Sequence, residues 1–273
     1  MWQKKEKDSL IYFTLPQWQK LGAEVYISCR PGGVSSGDFA SLNLALHVSD
    51  SSEAVKTNRR RFFQAIGVDS SDFVALQQTH SKNARRVTAA DRGKGLDSYD
   101  TALADTDAAY TTDAGVLLAT FYADCLPIAL FDQKNQALAL VHAGWRGTYQ
   151  NIGAEVLAKM ARDYNTKPQD VLVAFGPGIG QCCYEVDEQF YQRFLKAYDQ
   201  AAHWFKPGKP GKWFFDNAGA NQALLMQAGI KECNITDFPL CTACNQELFY
   251  SYRASAGRCG RHGLFGRLCK EDM

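Results

Sequence analysis

No apolar run in this sequence is long enough to cross a bilayer: stretches such as Gly115 to Ala123 and Ala137 to Ala143 fall far short of the ~20 residues a membrane helix needs. Met1 to Ser9 mixes Lys4, Lys5 and Lys7 with Glu6 and Asp8 and lacks the apolar segment of a secretory signal, so a cytoplasmic protein is expected. An excess of either charge is missing too. The 30 Lys and Arg against 29 Asp and Glu leave +1, so no bulk field recruits nucleic acid or an anionic membrane, and neither is expected as a partner. No repeat, low-complexity tract or long Gly/Pro linker divides the 273 residues, and one domain over 1–273 is expected. Histidine is scarce, with five in all. Cysteine is not, but nine would make an irregular disulfide set, and nothing else marks an oxidising compartment. They read as thiols or ligands, with the adjacent Cys182 and Cys183 pointing apart and packing as small buried hydrophobes.

Apolar spacing predicts four helices. The first starts near Ser51 or Ser52, carries Val55, Phe62, Phe63 and Ile66 on a side partly shared by Arg59, and stops at Gly67. The second begins around Thr148 to Asn151, the third follows Asp187, and the fourth runs from about Asp216 to Gly229. Strands are predicted at Val25 to Cys29, Phe73 to Gln77, Val116 to Tyr122, Ile128 to Phe131, Ala137 to Val141, Val171 to Phe175 and Phe249 to Arg253. The fourth and fifth read as a hairpin, which rules out a purely parallel sheet and favours an α+β or mixed-sheet fold.

Three residues stand where strands give way to other structure. His80 ends Gln77-Gln78-Thr79-His80-Ser81, and His142 ends the strand from Ala137. After His142, Ala143-Gly144-Trp145-Arg146-Gly147-Thr148 leads into a helix, where backbone N–H groups and Arg146 favour an anion such as phosphate. Cys125 lies on a segment bent by Pro127. Two imidazoles and a thiolate suit zinc with one open position. Their separations of 45 and 17 residues match no local zinc motif, and the alternative is a buried cysteine with two hydrogen-bonded histidines. Cys241-x-x-Cys244 has better local metal spacing, but Cys259 and Cys269 do not form a second such pair. Gly176-Pro177-Gly178-Ile179-Gly180 lacks the lysine and spacing of a phosphate loop and reads as a tight turn.

Ordered motifs run through nearly the whole chain. They include Ser41-Leu42-Asn43-Leu44, Asn58-Arg59, the segment ending at His80-Ser81, Asp105-Thr106-Asp107-Ala108 and Ala123-Asp124-Cys125-Leu126-Pro127. Further on come Val141-His142-Ala143-Gly144-Trp145-Arg146-Gly147, Cys182-Cys183-Tyr184-Glu185-Val186, Cys241-Thr242 and Phe249-Tyr250-Ser251-Tyr252-Arg253. In these the chain resembles the YfiH/YlmD laccase-domain family, also called polyphenol oxidases, and within it the YlmD branch most. The resemblance implies a four-layer sandwich of mixed β-sheets flanked by helices, and zinc held by His80, Cys125 and His142. It also implies purine nucleoside phosphorylase activity on adenosine, inosine and methylthioadenosine, with adenosine deamination alongside. A relative's link to peptidoglycan-precursor correction implies amide chemistry instead, and the older family label implies copper oxidation.

Five histidines, widely scattered, cannot build a multicopper oxidase centre, although a single copper fits the same N/S set. A cysteine hydrolase would use Cys125 as nucleophile, His142 or His80 as base and Asp124 to orient it, but a metal-bound thiolate is a poor free nucleophile. A non-enzymatic binding module leaves the converging His, Cys and Arg residues unexplained. For phosphorolysis the candidate catalytic groups are Cys125, Asp124 and Arg59, with Arg59, Arg146 and Asn43 holding substrate or phosphate. Each has a structural alternative: Arg59 as a solvated helix arginine, Arg146 as a loop brace, Asn43 as a turn former and Asp124 as a partner of its neighbours. His47, His203 and His262 read as surface or structural histidines.

Overall fold

The structure, a computed structural model, describes residues 1–269. Two six-stranded sheets stack face to face with helices on both outer faces, which is the four-layer α+β sandwich expected. The first sheet has the order Gln3–Lys7, Leu10–Thr14, Ala23–Ser28, His262–Leu268, Leu117–Tyr122 and Phe73–Ala75. The second runs Ile235–Thr236, Val171–Phe175, Leu126–Asp132, Ala137–Ala143, Ala108–Thr111 and Ala84–Arg86. Both mix parallel and antiparallel pairs. A small third sheet of Glu185–Asp187, Lys212–Phe215 and Phe205–Pro207 carries an aromatic cluster against the helix Glu188–Ala197.

The two-residue period of the strands explains the layering. Along Leu117–Tyr122, Leu118 and Tyr122 enter the core between the sheets while Leu117, Ala119 and Phe121 meet the helix Ser52–Ile66. Along Ala137–Ala143, Leu138 and Leu140 face the inter-sheet core, and Ala139 and Val141 face Val156 and Met160 of the helix Ile152–Tyr164. Both central strands are therefore apolar on both faces. His142 continues the inward series of Leu138 and Leu140, which leaves its ring at the end of the space between the sheets, beside Tyr122 at 5.4 Å.

Helix ends follow local chemistry. Ser51, Asn151, Asp187 and Asp216 each accept a backbone N–H of the first turn, and Gly67 closes the first helix in the left-handed region. A short helix, Trp145–Tyr149, precedes the second predicted one. The predicted hairpin is present, with Asp132 paired to Ala137 and its carboxylate closing the turn through the N–H groups of Lys134 and Asn135. Phe249 to Arg253 is not a strand. It is irregular chain whose aromatics anchor it: Phe249 is buried in the inter-sheet core and the Tyr250 hydroxyl donates to the Phe39 carbonyl. Among the described residues no helix is long and apolar enough to cross a membrane.

Candidate active site

His80, Cys125 and His142 converge from three chain segments until their ligand atoms lie within 4.8 Å of one another. Cys125 Sγ is 3.7 Å from His80 Nε2, close to the ~3.6 Å edge expected when sulfur and nitrogen share a tetrahedral zinc. The floor of the site has room for no larger backbone residue: a Cβ on Gly144 would stand 2.8 Å from the His80 ring and 3.0 Å from Cys125 Sγ. These residues fit a metal ion in donor type, spacing and freedom on one side.

Asp107, which the sequence reading did not single out, organises the set. It is wholly buried at the start of its strand. Its carboxylate accepts from the backbone N–H groups of Thr79, His80 and Ser81, from the hydroxyls of Thr79 and Ser81, and from His142 Nδ1 at 2.7 Å. The first five bonds hold His80 at a φ of +62°, a conformation costing on the order of 1 kcal/mol that needs such support. The sixth fixes the His142 ring with Nε2 free, the arrangement by which carboxylates orient metal-binding imidazoles.

The electrostatics favour the ligand-competent thiolate. Burial alone would raise the Cys125 thiol, but the adjacent His142 and His80 outweigh it and bring it down to about 6. Burial would likewise lower His142, yet Cys125 and Asp107 lift it to about 9. Asp107 is held near 2 because the His142 and Ser81 hydrogen bonds exceed the cost of its burial. Both shifts point the same way, toward a thiolate beside an imidazolium in the metal-free pair.

Above this floor opens a cavity of about 440 Å³, ringed by Phe121, Trp145, Tyr184 and Tyr252 and by three arginines, Arg146, Arg253 and Arg261. Arg146, a predicted phosphate ligand, lines the cavity with its guanidinium over the Trp145 ring. Asp124 lines it at a φ of +80°, with one carboxylate oxygen on the Thr242 hydroxyl and the other on the Arg253 N–H, so it positions its neighbours. His47 is exposed and also lines the cavity, its ring 5.4 Å from Tyr99. His262 is structural as expected, buried against Tyr122, and His203 is exposed.

Two expectations need correction. Arg59 lies outside the cavity and is 3% exposed. Its guanidinium donates to the carbonyls of Leu44, Gly95 and Leu96 and stacks on Phe73 and Phe121, so it braces loops instead of meeting phosphate. Asn43 is also fully buried: its amide oxygen accepts from Ala45 and Arg261 N–H groups, which makes it the turn former and places the Arg261 backbone. Helical spacing put Arg59 on an enclosed face, and a core arginine and a site arginine look alike there.

The multi-copper polyphenol oxidoreductase laccase family model matches residues 24–267. The chain belongs to this family. Within the laccase-domain family it is 36% identical over 242 residues to a protein of Geobacillus stearothermophilus named purine nucleoside phosphorylase YlmD, covering 88% of each chain. The solved structure of YlmD from Geobacillus stearothermophilus superposes with a TM-score of 0.93 at 33% identity, over 98% of this chain and 99% of that one. A hypothetical protein YfiH of Bacillus licheniformis gives 0.92 at 32% identity, over 97% and 98%.

Proposed function

We propose that this laccase-domain protein is a cytoplasmic, single-domain, zinc-dependent purine nucleoside phosphorylase acting on adenosine, inosine and methylthioadenosine, with adenosine deamination as a side activity. The observation carrying the proposal is the His80/Cys125/His142 set at the floor of a cavity rimmed by three arginines and several aromatics, in a chain whose relatives bear the phosphorylase name. When bound there, zinc supplies Lewis acidity, and copper is the other ion this N/S set admits.

Phosphorolysis joins a phosphate oxygen to C1′ of the ribose as the C1′–N9 bond breaks and its electrons leave with the purine, which takes up a proton. Arg146, Arg253 and Arg261 hold the phosphate against the ribose, spending positive charge where the nucleophile is anionic. The faces of Trp145, Tyr184 and Tyr252 stack the flat aromatic purine. Asp124 sets the register of Arg253, and Asn43 that of Arg261, so both act on phosphate through another residue. Asp107 keeps His142 in the tautomer that leaves Nε2 facing Cys125.

Incubation of adenosine or inosine with phosphate is expected to yield free base and ribose 1-phosphate. Conversion of adenosine to inosine alone, at a rate indifferent to phosphate, would make the protein a deaminase and end the phosphorylase assignment.

The lowered Cys125 thiol next to His142 and Asp107 also supports a second reading, a cysteine-type amide hydrolase with Cys125 as nucleophile and His142 as base. His80→Ala separates the two. It abolishes metal binding and turnover together in the metalloenzyme, whereas a folded, metal-free His80→Ala protein that turns over through a covalent Cys125 adduct is a hydrolase.

A further inference from the structure

We infer that the chain carries a second metal site, a four-thiolate zinc site built by Cys182, Cys183, Cys241 and Cys244. The sequence expectation for the first pair fails: Cys182 is exposed and Cys183 partly so, and both turn their sulfurs toward Cys244, across 62 and 61 residues. All four sulfurs lie within 4.8 Å of one another. The Cys182–Cys244 and Cys183–Cys244 separations are 3.7 and 3.4 Å, near the ~3.8 Å edge of a tetrahedron with zinc–sulfur bonds of ~2.3 Å and far beyond a disulfide bond of ~2.05 Å.

The backbone around the cluster is shaped for thiolates. Two tight turns face each other, one begun by Gly180, whose carbonyl accepts from Cys183 and Tyr184, and one closed by Asn245 onto the Cys241 carbonyl. The Gly180 N–H points at Cys241 Sγ at 3.1 Å, and the N–H groups of Ala243 and Cys244 also face that sulfur. Such donors stabilise a sulfur that carries negative charge. Gly180 suits this approach, because a Cβ there would crowd Cys182 Sγ at 3.3 Å and Cys241 Cβ at 3.1 Å. Four thiolates in a closed set favour a structural zinc with no open position. Arg253 donates to the carbonyls of Cys183 and Glu185, which sets a positive charge beside the site.

The zinc clamps two segments that both reach the cavity. One turn is flanked by Ile179 and Tyr184, and the other leads to Tyr252 and Arg253. The pair is also tied by the Thr242 N–H to the Gly178 carbonyl, by the Gly180 N–H to Cys241 Sγ and by those Arg253 bonds. Loading the cysteines therefore fixes the spacing of the cavity mouth while leaving its floor unchanged.

The test uses the full-length Cys125→Ala protein, in which the His80/Cys125/His142 set is dismantled, so the result stands or falls independently of the proposed catalytic zinc. Metal-free, reduced protein is titrated with cobalt(II). One equivalent is expected to bind with intense sulfur-to-cobalt charge-transfer absorption that zinc then removes. Adding Cys244→Ser, which removes a ligand outright, is expected to weaken binding by more than the ~10–100-fold that loss of a ligand's hydrogen-bonding partner costs. Wild type should titrate to two equivalents and the Cys244→Ser single variant to one, which keeps the test open if Cys125→Ala folds poorly. Absence of thiolate charge transfer, or cobalt binding indifferent to Cys244→Ser, overturns the site. A Cys183–Cys244 disulfide as the form isolated under reducing conditions overturns it as well.

Discussion

Replacing Asp107 by Asn tests whether one buried carboxylate assembles the metal-binding floor. Asn keeps the shape but exchanges one acceptor oxygen for an NH₂ donor. If the amide nitrogen takes the place of Oδ2, it faces the N–H groups of Thr79 and Ser81; if it takes the place of Oδ1, it faces the His80 N–H and His142 Nδ1. Either way two buried donors lose their acceptor, at ~1–3 kcal/mol each, so the folded protein should lose about 3 kcal/mol of stability. Freed from its orienting bond, His142 should bind metal about 10–100-fold more weakly. Asp107 is also pulled from 3.8 to about 2 in the folded state. A depressed carboxyl stabilises above its unfolded value and loses that contribution as pH falls through the folded one, so the effect of about 2 kcal/mol at most disappears between pH ~4 and ~2. Chemical denaturation of metal-free wild type and Asp107→Asn from pH 2 to 6, with zinc competition against a chromophoric chelator at pH 7, reads all three effects. Wild-type zinc affinity together with wild-type stability in Asp107→Asn would refute the reasoning.

Gly144→Ala should fold yet lose metal, since its Cβ would stand 2.8 Å from the His80 ring and 3.0 Å from Cys125 Sγ; metal analysis and a thermal melt decide this, and full occupancy would contradict it. Alkylation of Cys125 in metal-free protein should rise through pH ~6, because the thiolate fraction grows as pH passes the lowered value, and a midpoint near 8.5 would disprove the thiolate–imidazolium pair. Arg59→Ala and Arg146→Ala should behave oppositely. The first should cost about 3 kcal/mol of stability by stranding the carbonyls of Leu44, Gly95 and Leu96, and the second should raise the KM for phosphate about tenfold or more with an unchanged melt. A raised phosphate KM in a fully stable Arg59→Ala protein would restore Arg59 to the site.

The helix caps were legible because their chemistry is local: Ser51, Asn151, Asp187 and Asp216 each meet a donor three residues on. The metal triplet was legible as residue types at strand ends, although only the fold brings them together. The strand His262–Leu268 escaped the sequence pattern because Gly263 and Gly266 interrupt it, and Gly266 is there so that Leu138 and Leu140 of the facing sheet can approach; a Cβ would meet them at 3.0 and 3.1 Å. The exposed, charged strand Gln3–Lys7 shows no apolar period, and its register with Leu10–Thr14 comes from backbone pairing. Phe249 to Arg253 misled for the opposite reason, since its aromatics are buried by separate anchors and not by alternation. Asp107 and Cys182 stood inside ordered motifs, but the contacts that give them their roles, to His142 and to Cys244, span 35 and 62 residues and leave no local signal.

The three floor ligands come from separate segments, His80 from the loop after Phe73–Ala75, Cys125 from the bend before Leu126–Asp132 and His142 from the end of Ala137–Ala143, which would couple metal binding to folding. An unfolded chain can gather them only by closing loops of 45 and 17 residues, each against chain entropy and without Asp107 to orient the rings. Its affinity for a metal ion would accordingly be far below that of the native state. An ion bound there would favour the folded chain by about 4 kcal/mol when free metal stands a thousandfold above its dissociation constant. Metal starvation would in that case shorten the protein's lifetime as well as silence its chemistry.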